Sequence, residues 1–256
     1  MEPYANRARR GPRVSALGAL LSLALGLGLC VLSMAYAAGL HITDLDSFRK
    51  AADTALVQTG VLTSEDAERF AQETIGYITG RRAAWLSAVT VGGQVVPVPE
   101  AFAVHMAEVR RWVSSFHFVL PLMILTIVLL VFLTLIGAMA MRKRMFAPRS
   151  YYLGAFIPLL FAGAGFAWAA LDFESFWDVL HQALIPGGIF AAGEPVMQLF
   201  PLTLFSGYTA AIALTFLYCL VFVALAPAAL LLIDRRARKR RAEREQQPPY
   251  QPMEYR

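Results

Sequence analysis

Residues 100–141 read EAFAVHMAEVRRWVSSFHFVLPLMILTIVLLVFLTLIGAMAM. Up to Ser115 the stretch is charged and mixed. From Phe116 to Met141 it carries no Asp, Glu, Lys or Arg. A hydrocarbon core about 30 Å thick needs about 20 apolar residues to cross it. Lipid leaves backbone polar groups unsatisfied unless the segment is helical. Nothing breaks the pattern between Glu100 and Phe116, so one helix is expected to run from water into the membrane. Pro121 is a candidate kink near its outer end.

Three other stretches read the same way, and the chain as a whole is 57% hydrophobic, far more than a water-soluble domain would be. The expected organisation is an all-α membrane protein with four spans, at 14–40, 116–141, 151–171 and 208–233. Between them fall a basic tail (1–13), a domain of about 75 residues by this partition (41–115), a short loop (142–150), an interfacial segment (172–207) and a basic, partly disordered tail (234–256). The first span has a basic start and an Ala35-Tyr36-Ala37 that imitates a cleavage site. Its apolar run exceeds the roughly 7–15 residues of a signal h-region, so it is expected to stay as an anchor. Cys30 and Cys219 both lie in spans and read as small packing residues.

Arginine placement orients the spans. Arg7, Arg9, Arg10 and Arg13 precede the first span. Arg142, Lys143, Arg144 and Arg149 follow the second, and Arg235-Arg236-Ala237-Arg238-Lys239-Arg240-Arg241 follows the fourth. Residues 172–207 contain no Lys or Arg. Both termini are therefore expected in the cytoplasm, with 41–115 and 172–207 outside. The net charge of +5 then reflects topology and anionic headgroups, not nucleic-acid binding.

In the first outer segment, Thr43 or Asp44 can cap a helix running to about Gln58. Thr63 with Asp66 resembles a capping box for a helix over Ser64–Thr79, ended by Gly80. Residues 87–91 and 94–98 flank Gly92-Gly93 as a hairpin. In the second, Phe173, Phe176, Trp177, Leu180 and Leu184 share one helical face and suit the membrane interface. Pro186-Gly187-Gly188 ends that helix. Residues 189–200 are apolar but too short to span, and read as a re-entrant or interfacial loop before Pro201.

Four histidines carry most of the titratable chemistry near neutrality. His41 reads as a wet interfacial residue, and His117 as a packed or hydrogen-bonded one at the end of a span. His105 has Glu108 three residues later, and His181 has Asp178 three residues earlier, each on its own helical face. Both fall beside a span on the same expected side. No Gly-x-Ser-x-Gly elbow, His-Glu-x-x-His zinc motif or phosphate loop occurs. Haem ligation would need core-facing histidines, and intramembrane charge for an ion pathway is nearly absent.

The stretch His105-Met106-Ala107-Glu108-Val109-Arg110 resembles the His-Met-x-Asp-Val-Lys/Arg element of the lipoprotein intramolecular transacylase (Lit) family. Asp172-Phe173-Glu174-Ser175-Phe176-Trp177-Asp178-Val179-Leu180-His181 resembles that family's Asp-Phe-x-x-Phe-Phe-x-x-Phe-His element. Leu62-Thr63-Ser64-Glu65-Asp66 is also similar. The chain departs from the pattern at Glu108, at Leu180 and downstream of His181. The resemblance implies an integral membrane acyltransferase of the bacterial cytoplasmic membrane, acting on its outer side without cofactor or metal. It implies that His105 and His181 are the catalytic pair, with Glu108, Asp178, Asp172 and Arg110 in support. Phe173, Phe176, Trp177, Leu180, Phe190 and Pro201 are expected to wall the lipid site. The implied reaction moves the sn-2 acyl chain of a diacylglyceryl-cysteine onto its own α-amino group. The alternative is a non-catalytic four-span protein whose outer loop binds a partner.

Overall fold

The computed structural model describes residues 14–140, 145–185, 190 and 194–246. Over these it is mostly helical: α1 (Ala16–Thr43), α2 (Leu45–Ala52), α3 (Ser64–Ile78), α4 (Glu100–Ala140), α5 (Pro148–Leu171), α6 (Phe173–Leu184) and α7 (Leu202–Gln246). A π-helical turn (Asp53–Val57) extends α2, and a 3₁₀ turn (Pro195–Leu199) precedes α7. The strands β1 (Ala88–Val91) and β2 (Gln94–Pro97) pair antiparallel, with Val91 opposite Gln94.

Four helical stretches are long and apolar enough to cross a membrane: Ala16–Thr43, Glu100–Ala140, Pro148–Leu171 and Pro195–Ile233. Their outward faces carry large apolar side chains, with Phe118 80%, Phe161 74% and Phe222 76% exposed. In water such a surface would drive aggregation, whereas lipid suits it. At about 1.5 Å per residue α4 is about 60 Å long, twice a hydrocarbon core. Its polar first third, which carries His105, therefore extends past the apolar part.

The chain divides into two compact units. The first comprises residues 1–31, 124–158 and 220–256. There α1 presents Gly18, Ser22 and Gly26 at four-residue spacing, a small-residue face that lets backbones approach. A Cβ on Gly26 would collide with the Tyr151 carbonyl, and one on Gly154 with the Leu23 carbonyl. The Ser22 hydroxyl donates to the Gly18 carbonyl (2.7 Å) and accepts from the Ala147 N–H (2.9 Å). The Tyr151 hydroxyl donates to the Val223 carbonyl on α7 (2.6 Å).

The second unit comprises residues 32–123 and 159–219. Asp44, not Thr43, caps α2, its carboxylate accepting from the Ser47 N–H (2.8 Å). The Thr43 hydroxyl instead donates to the Gly39 carbonyl, which extends α1 past the expected end of its span. Thr63 caps α3 through the Asp66 N–H (3.1 Å), and its hydroxyl donates back to the Asp66 carboxylate (2.8 Å). Gly92 (φ 56°) and Gly93 (φ 80°) make the hairpin turn in the left-handed region that glycine tolerates. One core joins these pieces: Phe48, Leu56, Phe70, Ile75, Val89, Phe102, Met106, Val113 and Leu204 are all buried in it.

Several expectations change. Within the segment expected to be a re-entrant or interfacial loop, the described Glu194–Phe200 forms the 3₁₀ turn and buries Val196 and Leu199 in that core. The basic run after the fourth span continues α7 as helix to Gln246, since Arg, Lys, Ala and Glu are good helix formers. His41 is not simply wet: its Nδ1 meets the Ser47 hydroxyl (3.1 Å) and its Nε2 the Thr215 hydroxyl (2.7 Å). His117 is exposed, not packed. The basic residues of 1–13 and 142–144, the Pro186-Gly187-Gly188 break and the end of the tail lie outside the described residues.

Forcing a side chain into the α1–α5 contact should cost on the order of 2 kcal/mol or more. Gly26→Val is therefore expected to lower the thermal unfolding midpoint of the detergent-solubilised protein clearly. Gly163→Ala, where nothing lies within 4 Å of the added methyl, should leave it unchanged or slightly raised. An unaltered midpoint for Gly26→Val would contradict this contact.

Candidate active site

His105 sits in the polar first third of α4, one turn after Phe102 and beside Met106, both buried. The same helix face that enters the core carries the imidazole inward, leaving it 9% exposed. His181 comes from α6. That helix starts because the Asp172 carboxylate accepts from the Ser175 N–H (3.1 Å). It ends with the Ile185 N–H bonded to the His181 carbonyl (2.8 Å), so His181 occupies the last turn.

The two imidazole rings lie 5.1 Å apart, centroid to centroid, at 58°. Their nitrogens can address one small group between or beside them. Aromatic rings surround the pair. Phe102 (6.0 Å) and Phe190 (5.3 Å) meet His105 edge-on, while Trp177 stacks on His181 at 5.6 Å and 28°. Phe205 stacks on Trp177 at 4.1 Å. Phe102 in turn touches Phe190, Phe200 and Trp85.

The Nδ1 of His105 is buried with no hydrogen-bond partner among the described residues. A buried polar atom without a partner costs about 1–3 kcal/mol, which a bound group can relieve. Burial pushes the His105 pKa down, repulsion from His181 adds to this, and Glu108 pulls weakly the other way. Burial also lowers the His181 pKa, with Asp178 opposing. Burial thus biases both imidazoles toward the neutral form, the one that accepts a proton.

The other expected site residues divide. Phe190 and Trp177 stand against the histidines. Phe173 lies stacked 6.2 Å from Trp177, and Phe176 turns toward Trp168 on α5 (5.9 Å). Leu180 is half-buried and Asp178 exposed. Asp172 acts as the α6 cap. Pro201 starts α7, its carbonyl accepting from the Leu204 N–H (3.0 Å). Arg110 is occupied elsewhere: it lies over the Tyr77 ring (5.0 Å) and donates to the Ala83 carbonyl (3.1 Å). It fastens the α3 end to α4 and does not reach the imidazoles. Phe102 and Phe205 were not foreseen. Phe102, three residues before His105, was readable from helical spacing, whereas Phe205 on α7 is brought in by tertiary folding alone. A cavity of about 150 Å³ lies apart from the histidines, lined by Leu62, Phe70, Leu86 and Leu199.

A mostly helical protein with four candidate membrane spans and two imidazoles brought together in an aromatic shell is the class these features define. A sequence model described as "Lipoprotein intramolecular transacylase Lit" matches residues 20–205, a stretch that contains all four histidines and the whole aromatic shell. The chain belongs to the lipoprotein intramolecular transacylase family. No curated protein and no solved structure matches it.

Glu108 is the acidic group acting on His105, and its charge favours the imidazolium. Glu108→Gln is therefore expected to lower the His105 pKa further below the ordinary value of about 6.5, read by NMR of ¹³C-labelled histidine. A rise on that substitution would contradict the assigned coupling.

Proposed function

We propose that the protein rearranges a lipoprotein's diacylglyceryl-cysteine into the lyso form, with His105 and His181 as the working pair. The observation that carries this reading is the 5.1 Å approach of two imidazoles, supplied by separate helices, inside a chain of this family. An N-terminal amine has a pKa of about 7.7–8.0, so a neutral histidine can accept its proton near pH 7.

The amine nitrogen attacks the sn-2 ester carbonyl. A nitrogen–carbon bond forms, and the nitrogen's proton passes to one imidazole. The other imidazole, as an N–H donor, steadies the oxyanion of the tetrahedral intermediate. The bond to the sn-2 oxygen then breaks, and the imidazolium returns its proton to that oxygen. An amide and a free sn-2 hydroxyl result. No water or cofactor is consumed, because nucleophile and ester belong to one molecule and proximity is built into the substrate.

The apolar faces of Phe173, Phe176, Trp177, Leu180 and Phe190, with Pro201 at the turn, form the wall along which acyl chains lie. Glu108 and Asp178 tune the pair. The arginine pattern supports a cytoplasmic-membrane protein with both termini inside and the site outside, where lipidated cysteines are displayed.

His105→Ala and His181→Ala are each expected to lower lyso-form production at least about 100-fold, in line with losing an acid–base group. The readout is mass spectrometry of a reporter lipoprotein, at unchanged protein level. Wild-type yield from both variants would sink the assignment of the pair.

A further inference from the structure

We propose that Trp177 is a positioning residue that fixes the His181 ring and supports its protonated form, making His181 the proton acceptor and His105 the neutral donor. The assignment of roles rests on the transacylase reading above, while the effect on His181 does not.

The two imidazoles sit in different surroundings. His181 lies nearly parallel to the Trp177 indole, at 28°. An indole face is the best side-chain partner for a cation. Trp177 is one turn before His181 on α6, so helix geometry sets the overlap. Phe205 on α7, stacked on the indole at 4.1 Å and 17°, holds it there. His181 also stands in the last turn of α6, where the helix dipole favours positive charge. The charged and titratable groups acting on it are Asp178 on its own helix and His105 across on α4. Asp178 favours the imidazolium, and His105 opposes it only when itself protonated.

His105 shares only one of these supports, an acidic neighbour on its own helix, Glu108. It lies early in a 41-residue helix, far from its C-terminus. Its ring contacts with Phe102 and Phe190 are edge-on, at 60° and 65°. It is also the more enclosed ring. Two imidazolium ions 5.1 Å apart would repel, so one proton serves the pair, and its better seat is His181. His105 then keeps a neutral N–H to offer an oxyanion. In this chain the position is tryptophan, whose face holds a cation better than the phenylalanine of the motif it resembles.

The test titrates the histidines of the detergent-solubilised full chain by NMR, without substrate. Replacing tryptophan biosynthetically by 5-fluoro- and then tetrafluorotryptophan weakens the ring's hold on a cation and keeps its shape. The His181 pKa should fall stepwise, by about half a pH unit in total, while that of His105, relieved of some repulsion from His181, does not fall. Trp177→Leu should give a similar fall and Trp177→Phe a smaller one. A His181 pKa indifferent to fluorination and to Trp177→Leu would overturn the proposal. In the transacylase assay, Trp177→Leu should cut kcat and move its acid limb to lower pH, over and above any rise in KM from the lost contact with the acyl chain. A raised KM with an unmoved limb would make Trp177 a lipid-contact residue only and overturn the positioning role. If no transacylase reaction occurs with wild type, the functional reading fails while the NMR arm still decides the Trp177–His181 coupling.

Discussion

An imidazole held in a shell of aromatic rings is the constraint on which this structure turns. Burying His105 beside Phe102 and Phe190 costs hydration of its nitrogens, and one of them has no protein partner among the described residues. The fold supports that cost through α4, which belongs to the core of the second unit at Phe102, Met106 and Val113 and runs on as an apolar span. The helix that anchors the chain in the membrane is thus the one that fixes the histidine. His181 arrives on a short helix whose start is set by the Asp172 cap and whose end places the imidazole at a helix C-terminus. Neither ring alone defines a site. Their approach at 5.1 Å makes the candidate site, because two imidazoles side by side offer one proton acceptor and one hydrogen-bond donor together.

Much of this was legible in the sequence because the governing signals are local. The absence of charge from Phe116 to Met141, the Thr63 cap and the Gly92-Gly93 turn each depend on residues close in the chain. Helical spacing put Trp177 and His181 on one face. What could not be read is tertiary. In the stretch before Pro201, Val196 and Leu199 join the core that also holds Phe70 and Val89, and no periodicity in so short a segment reports which of its apolar side chains the core takes up. Arg110 belongs to a motif, but its partner Tyr77 sits on another helix, so its fastening role emerged only from the fold. His41 shows the same limit: its neighbours Ser47 and Thr215 lie six and 174 residues away, and only the second is invisible from local pattern.

The aromatic shell also links architecture to chemistry. Rings that fill the second unit's core continue without a break from Phe70 through Phe200 and Phe102 to His105. The surroundings that make the unit stable therefore lower the proton affinity of the histidines. A site of low polarity favours a reaction that begins with a neutral amine and ends with a neutral amide. It disfavours water, which would turn acyl transfer into hydrolysis.

The central claim is intramolecular transfer at the His105–His181 pair. The most direct measurement is tandem mass spectrometry of a synthetic diacylglyceryl lipopeptide after incubation with the purified protein. Isomerisation predicts a product of unchanged mass whose fragments carry one acyl chain on the cysteine nitrogen, formed by wild type and lost in His105→Ala and His181→Ala. Release of free fatty acid with loss of its mass, or the same nitrogen-acylated product from both variants, would contradict the account.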